Sequence, residues 1–171
     1  MSRRGIVSAG TWVMDVIKFI GVYPERGNLT SIFREETALG GCVHNVLADL
    51  AALEADLPLY AGGCVGDDAN GRAALECCRS LGIDASNMHT VSGLPTSYTD
   101  VMSETGDNPA RTFFHNRGAN AALTPEMVMS IDVPARIFHL GYLLLLDRLD
   151  AFDAGYGVAA ARVLDHIQKK G

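Results

Sequence analysis

The sequence predicts an α/β protein with a parallel sheet and a small β flap set into it. Three observations carry that expectation. Segments of buried-strand character alternate with amphipathic helical patterns over the first half of the chain: a strand near Ile6, a helix from Gly41, a strand near Pro58 and a helix after Asp68. Strand, helix, strand, helix is the order that right-handed parallel crossovers produce. The middle of the chain then breaks the alternation. Residues 88–91, 97–103 and 111–115 read as short strands with no helix between them, which suggests an antiparallel flap. Finally, residues 29–39 are charged and β-branched, as suits an exposed ribbon at a sheet edge.

The elements follow in order. Residues 6–9 form a short apolar strand ending at Gly10, and residues 13–20 are again extended and apolar. Asp15 interrupts that second run. A carboxylate there is costly to bury without a partner or ligand, so Asp15 is either a ligand residue or a strand-end acid facing water. Tyr23-Pro24-Glu25-Arg26-Gly27-Asn28 is a turn. Helical spacing of Val43, Val46, Leu47, Leu50 and Leu53 predicts a helix over about 41–54. Residues 58–65 form a second buried strand. Asp67 or Asp68 can cap the following helix, whose face of Ala74, Cys77, Cys78 and Leu81 stops at Gly82. Glu104-Thr105-Gly106-Asp107-Asn108-Pro109 joins the last two flap strands. Thr124-Pro125-Glu126 opens a helix with an N-cap, a proline at the first position and an early acid. Residues 136–140 form another buried strand, and Phe152, Tyr156, Ala159, Val163 and Ile167 line one side of a last helix. With only the strands near Ile6, Pro58 and Arg136, the body sheet is expected to be narrow, with an uncovered edge.

Composition narrows the function. The 171 residues suffice for one domain with a sizeable core. A net charge of −6 argues against a nucleic-acid partner, which favours a basic face. No window is long and apolar enough for a membrane span, and the apolar run after Arg3-Arg4 is too short for a secretory leader, so a cytoplasmic location is expected. None of the four cysteines (Cys42, Cys64, Cys77, Cys78) forms a Cys-x-x-Cys pair or a zinc-like spacing, so no metal site is expected. Cys77 and Cys78 suit core positions. Cys42 lies at a helix start, where a thiol pKa tends to fall.

Gly40-Gly41-Cys42-Val43-His44-Asn45 is the stretch that points to chemistry. A glycine pair opens a helix, whose first turn offers backbone N–H groups and the positive end of its dipole. Glycines keep side chains away from that backbone, and Asn45 adds an amide that both donates and accepts. A polyol or anion fits against such a helix end. A tight turn that needs glycine for its dihedrals explains the same residues.

Together with Val65-Gly66-Asp67-Asp68-Ala69-Asn70-Gly71, this stretch resembles the N-terminal half of the ribokinase-like (PfkB) carbohydrate kinases, which carry a Gly-Gly-x-x-x-Asn helix start and a Val-Gly-x-Asp-x-x-Gly turn at this separation. Gly118-Ala119-Asn120-Ala121-Ala122-Leu123-Thr124 and His139-Leu140-Gly141-Tyr142 resemble a third and a fourth family segment, in the same order along the chain. The resemblance implies a three-layer α/β/α ribokinase-like body with a small β-sheet lid, its strands within about 13–38 and 88–117. It implies transfer of the ATP γ-phosphoryl group to a sugar or nucleoside hydroxyl, with Mg2+. It places Asp15, Gly40, Gly41 and Asn45 at substrate-contact positions and Asp147 at an acidic contact that some members carry. It also allows a homodimer through the lid.

Two departures qualify this picture. Val13 stands where several sugar kinases carry asparagine, and Cys42 where some carry lysine. The family's Gly-Ala-Gly-Asp segment, which supplies the catalytic base and anion hole, does not occur in the sequence. Phosphoryl transfer depends on positioning and electrostatic stabilisation of the transferring group. Residues 1–171 are therefore expected to be the N-terminal, substrate-binding part of such a kinase domain, without catalytic residues of their own and without good binding of ATP or Mg2+. A non-catalytic sugar-binding or dimerising module is the alternative.

Overall fold

A computed structural model describes residues 3–54, 56–107 and 109–170. Asn108 of the predicted flap turn and the terminal Gly171 lie outside the described residues. The order of elements is β1 (Ile6–Gly10), β2 (Val13–Ile20), β3 (Ile32–Gly40), α1 (Cys42–Ala52), β4 (Leu59–Gly66), α2 (Ala69–Ser80), β5 (Asp84–Val91), β6 (Tyr98–Glu104) and β7 (Arg111–Asn116). A 3-10 helix (Gly118–Ala122), α3 (Pro125–Met129), β8 (Ile137–Gly141), the short strands β9 (Phe152–Asp153) and β10 (Gly157–Val158), and α4 (Ala159–Lys170) complete it.

The body is a parallel sheet in the order β5-β4-β1-β8. Alternation along β4 feeds two cores. Leu59, Ala61 and Val65 pack with Val43, Leu47, Ala74 and Cys78 of α1 and α2. Cys64 packs with Ala119, Leu123, Val128, Leu149, Ala160 and Val163, from the segments around α3 and α4. Helices therefore cover both faces, and the three layers follow from the period-two pattern of the strands.

The second sheet, the lid, runs β3-β2-β6-β7. Its centre differs from the predicted antiparallel flap: β2 and β6 are parallel, while the outer pairs are antiparallel. Residues 88–91 do not belong to it. They form the end of β5, which pairs with β4 and widens the body sheet to four strands. The chain alone hides this, because β5 follows α2 by a short turn and its burial pattern is as mixed as that of a lid strand.

Local signals hold well at the helix ends. Asp68 caps α2 by accepting from the Gly71 N–H at 2.8 Å. Its other oxygen accepts from the Thr96 N–H at 2.7 Å, which ties the approach to β6 to the β4–α2 turn. Burial pushes the Asp68 carboxyl up. The hydrogen bonds from Thr96 and Gly71, with Arg72 nearby, outweigh it and hold the group below the usual carboxylate range. Thr124 caps α3 by accepting from the Met127 N–H. The last helix is shorter than predicted. It begins at Ala159, while Phe152 and Tyr156 lie in and beside the β9–β10 pair and are exposed. A turn over residues 154–156, in which the Asp153 carboxylate accepts from the Gly155 and Tyr156 N–H groups, joins the two strands, and Gly157, with φ of +78°, opens β10. Two aromatics at helical spacing imitated a helix face that the turn interrupts.

Candidate functional site

The lid and the body meet along a cleft of about 720 Å³. β1 supplies the junction. It leaves the body sheet at Gly10 and enters the lid at Val13 through Thr11 and Trp12, both buried. Asn120 locks this passage. Its Oδ1 accepts from the Trp12 N–H at 3.2 Å and its Nδ2 donates to the Trp12 carbonyl at 3.0 Å, with the whole side chain buried. The Trp12 indole N–H donates to the Gly62 carbonyl at 3.3 Å. The first lid strand is therefore fixed to the body at its root.

Asp15, Gly41 and Asn45 line this one cleft, from β2, the turn before α1, and the first turn of α1. Asp15 is half-buried. Burial pushes its carboxyl above the ordinary aspartate value, and the neighbouring Thr99 hydroxyl and His115 oppose that shift. Gly41 has φ of +91°, and a Cβ there would sit 2.5 Å from the Thr11 carbonyl oxygen, so close approach and backbone conformation both require glycine. Gly40 is not on the cleft wall. A Cβ at that position would lie 2.7 Å from Asp15 Oδ2, so its bareness leaves room for the carboxylate.

The helix start is less open than its sequence suggests. The Cys42 N–H donates to Thr11 Oγ1 at 3.3 Å, and the Val43 N–H donates to the Thr11 carbonyl at 3.4 Å. Thr11, distant in sequence, thus takes the first two donors of α1. The Cys42 thiol lies 3.5 Å from His139 Nε2, and His139 Nδ1 lies 2.7 Å from Ser8 Oγ. Burial pushes the Cys42 thiol up, against the lowering expected at a helix start. Cys64 and Cys78 are pushed further, to about 11 and about 12.

Asp147 does not join the cleft. It is exposed and pairs with Arg117 at 2.5 Å, while Arg117 also donates to the Leu144 carbonyl at 3.1 Å. Asp147 thereby steadies the loop after β8, and that loop brings Tyr142 and Leu145 to the cleft wall. Sequence reasoning missed these two, together with Thr99, Phe113 and His115 of the lid. The missing signal is strand alternation: in β7, residues 113 and 115 share the face that Asp15 and Thr99 share in β2 and β6.

Among the described residues no three His, Cys, Asp or Glu side chains gather to hold a metal ion. The cleft itself offers one carboxylate, one imidazole and one side-chain amide, with apolar walls from Val13, Val46, Phe113 and Leu145. Such a set can orient a small polyol through hydroxyl hydrogen bonds while the apolar walls exclude water.

A family model described as pfkB family carbohydrate kinase matches residues 4–167. The chain belongs to this family. An ATP-dependent ribose-1-phosphate kinase of Halopiger xanaduensis is 32% identical to it over 123 residues, covering 72% of this chain and 40% of that protein. The bifunctional protein HldE of Wolinella succinogenes is 28% identical over 134 residues, covering 78% and 26%. Among solved structures, a ribokinase from Giardia lamblia superposes with a TM-score of 0.68 at 24% identity, covering 81% of this chain and 42% of that one. An Arabidopsis thaliana ribokinase, solved with ribose and ATP, gives 0.63 at 24% identity, covering 80% and 45%. The pfkB family chain therefore has the ribokinase-like α/β fold and spans less than half the length of these relatives.

Proposed function

We propose that this chain forms the acceptor-binding part of an ATP-dependent kinase that phosphorylates a hydroxyl group of a sugar or nucleoside. One observation carries the proposal: Asp15, Gly41 and Asn45, from three separate elements, line a single cleft beneath the lid. Asp15 orients an acceptor hydroxyl by accepting its proton in a charge-assisted hydrogen bond. Asn45 contacts the same ligand from α1, with its amide oxygen held 3.1 Å from His44 Nδ1. Gly41 admits the ligand to the turn, and Gly40 leaves the Asp15 carboxylate space.

ATP with Mg2+ supplies the phosphoryl group in the proposed reaction. A single carboxylate, an amide and an imidazole do not make a magnesium site, so the cleft residues do not fit the ion. The work assigned to this chain is to bind and orient the acceptor and to exclude water around it.

Calorimetric titration of the 171-residue chain with D-ribose and with inosine tests the proposal. Binding of one of them is expected, weakened roughly 10- to 100-fold in Asp15→Asn, the loss of one charge-assisted hydrogen bond. An unchanged affinity in that variant would remove Asp15 from the site. Incubation of the chain alone with ATP, Mg2+ and the bound acceptor is expected to give no turnover, and turnover above background would place catalytic groups within these residues.

The lid supports a second reading, a dimerising module. Its strands expose Ile32, Phe33, Phe113 and Phe114, each at 50% or more. Light scattering distinguishes a discrete dimer from a monomer.

A further inference from the structure

Beneath the start of α1, three elements bring a thiol, an imidazole and a hydroxyl into line. Parallel pairing puts Ser8 of β1 opposite His139 of β8, so the two project from the same face of the body sheet. That face is the one covered by α1 and α2: Ser8 alternates with Ala9, which belongs to the other core, and shares its side of β1 with Ile6. Cys42 meets the pair from the first turn of α1. Its Sγ lies 3.5 Å from His139 Nε2, and His139 Nδ1 lies 2.7 Å from Ser8 Oγ. The Cys42 N–H is held by Thr11 Oγ1, which fixes the root of the side chain. A Cβ at position 141 would run into the Cys42 sulfur, so Gly141 keeps the space beside it bare.

A nucleophile within reach of a base, with the base held by a third group, is the arrangement that activates thiols and hydroxyls toward electrophiles. Packing alone asks for neither an imidazole nor a hydroxyl on a face that otherwise carries Val43, Leu47, Leu59 and Ala61. Ser8 is fully buried, and its hydroxyl can donate to Nδ1 or accept from it, so it orients the ring whichever nitrogen carries the proton. With the proton on Nδ1, Nε2 takes the thiol proton. With the proton on Nε2, that N–H supports the thiolate. Burial pushes the Cys42 thiol up and the His139 imidazole down, so both are neutral at rest and the sulfur gains its charge as it attacks. The surroundings also set Cys42 apart from two of the other cysteines. Cys64 and Cys78 are closed inside the two cores, whereas Cys42 lines the cleft beside Thr11, Gly41 and Asn45.

We propose that Cys42 is a site of reversible covalent modification by a small uncharged oxidant, of which hydrogen peroxide is the simplest, and that the modified side chain closes the cleft to its acceptor. The closure rests on the acceptor-binding role proposed above; the modification itself does not. Asp15 on the same cleft disfavours an anionic reagent. In the step, His139 takes the thiol proton and the sulfur attacks one peroxide oxygen. An S–O bond forms and the O–O bond breaks. The departing hydroxide recovers the proton from His139 and leaves as water. Sulfur is oxidised to the sulfenic acid by two electrons, and the peroxide is reduced. Two equivalents of a small thiol restore the cysteine, releasing water and their own disulfide. The added hydroxyl projects from the cleft wall between the turn that carries Gly41 and the Asn45 amide, where it takes space from a ligand.

The test treats the full chain with hydrogen peroxide and dimedone, which traps sulfenic acids, and follows each cysteine peptide by mass spectrometry. Cys42 is expected to be labelled at least about 10-fold faster than Cys64 and Cys78. His139→Gln is expected to slow Cys42 by at least about 10-fold at neutral pH and to leave Cys77 unchanged, with Ser8→Ala between the two. In His139→Gln the Cys42 rate should also climb about 10-fold per pH unit as a bare thiol ionises, and in the unmodified chain it should rise less steeply. Asp15, His115 and Tyr142 are the other titratable groups on the cleft wall, and all three are present in both proteins. Labelling of Cys42 no faster than that of the two core cysteines overturns the proposal without recourse to any variant. Equal rates and equal pH profiles in folded His139→Gln overturn the role of the imidazole and with it the proposal. Calorimetry with D-ribose and inosine then reads the closure: peroxide is expected to weaken binding at least about 10-fold in the unmodified chain, thiol to restore it, and Cys42→Ser to keep through peroxide whatever affinity it began with. Labelled chain that binds as before overturns the closure. Selective labelling of Cys42 in a chain that binds neither compound overturns the acceptor reading and leaves the modification site standing.

Discussion

The body and the lid of this molecule solve different problems with the same kind of strand. In the body, Ala9, Ala61, Cys64 and Val65 are fully buried between two helical layers, and the buried Ser8 hydroxyl of β1 pairs with His139. In the lid, Ile32, Phe33, Phe113 and Phe114 are at least half exposed, and β2 carries two charged residues, Asp15 and Lys18, among apolar ones. The body therefore buries its apolar side chains on both faces of the sheet, while the lid leaves apolar side chains and a carboxylate partly open. The candidate cleft lies where the two meet, so that it borrows rigidity from one and chemistry from the other.

Substitutions can break this contrast, and the largest effect is expected at the root of the lid. Asn120→Ala leaves both the N–H and the carbonyl of Trp12 unpaired in a fully buried site. A loss of about 3 kcal/mol follows from two orphaned backbone groups, read as a lower denaturant midpoint with unchanged m-value. If the midpoint hardly moves, water replaces the amide and the lid root is not dry.

Next comes Asp68. Its carboxylate accepts from Gly71 and Thr96, and Asp68→Ala is expected to cost about 2 kcal/mol. Because its folded-state pKa lies below the ordinary value, its contribution is present above that ordinary value and disappears as pH falls through the folded one. Tm should therefore drop more steeply under acid conditions in the unmodified chain than in Asp68→Asn. Parallel acid profiles in the two would show that other carboxylates control acid unfolding.

Asp15 should behave in the opposite sense. Burial raises its carboxyl, so ionisation costs stability as pH rises above the ordinary aspartate value. Asp15→Asn is expected to raise Tm slightly at neutral pH while weakening acceptor binding. A lower Tm would make Asp15 a structural residue. The smallest effect is expected on the outer lid: Phe114→Ser, at a position 50% exposed, should change stability by less than about 0.5 kcal/mol. A larger loss would mean that the lid face is covered, as in a dimer.

How much of this was legible in the chain depends on the range of the interactions. Short-range signals read correctly: the Asp68 and Thr124 caps, the glycine pair before α1, and the alternation that builds β1, β4 and β8. Long-range pairing was not legible. Residues 88–91 carry nothing that assigns them to the body rather than the lid, because their placement comes from pairing with β4 across α2. Thr11 takes the helix-start N–H groups from 31 residues away, and Arg117 draws off Asp147 across 30. His115 reads as an ordinary strand residue until the register sets it beside Thr99. The family resemblance supplied Asp15 and Asn45, and the fold brings both to one cleft.

Because the peptide passes from β1 into β2 through a buried tryptophan clamped by Asn120, the lid has no free pivot at that corner. Thr11, the residue before that tryptophan, also receives the Cys42 and Val43 N–H groups at the start of α1. One clamped corner thus sets the strand that carries Asp15 and the turn that carries Gly41 in a common frame, so a disturbance there would displace both walls of the cleft together.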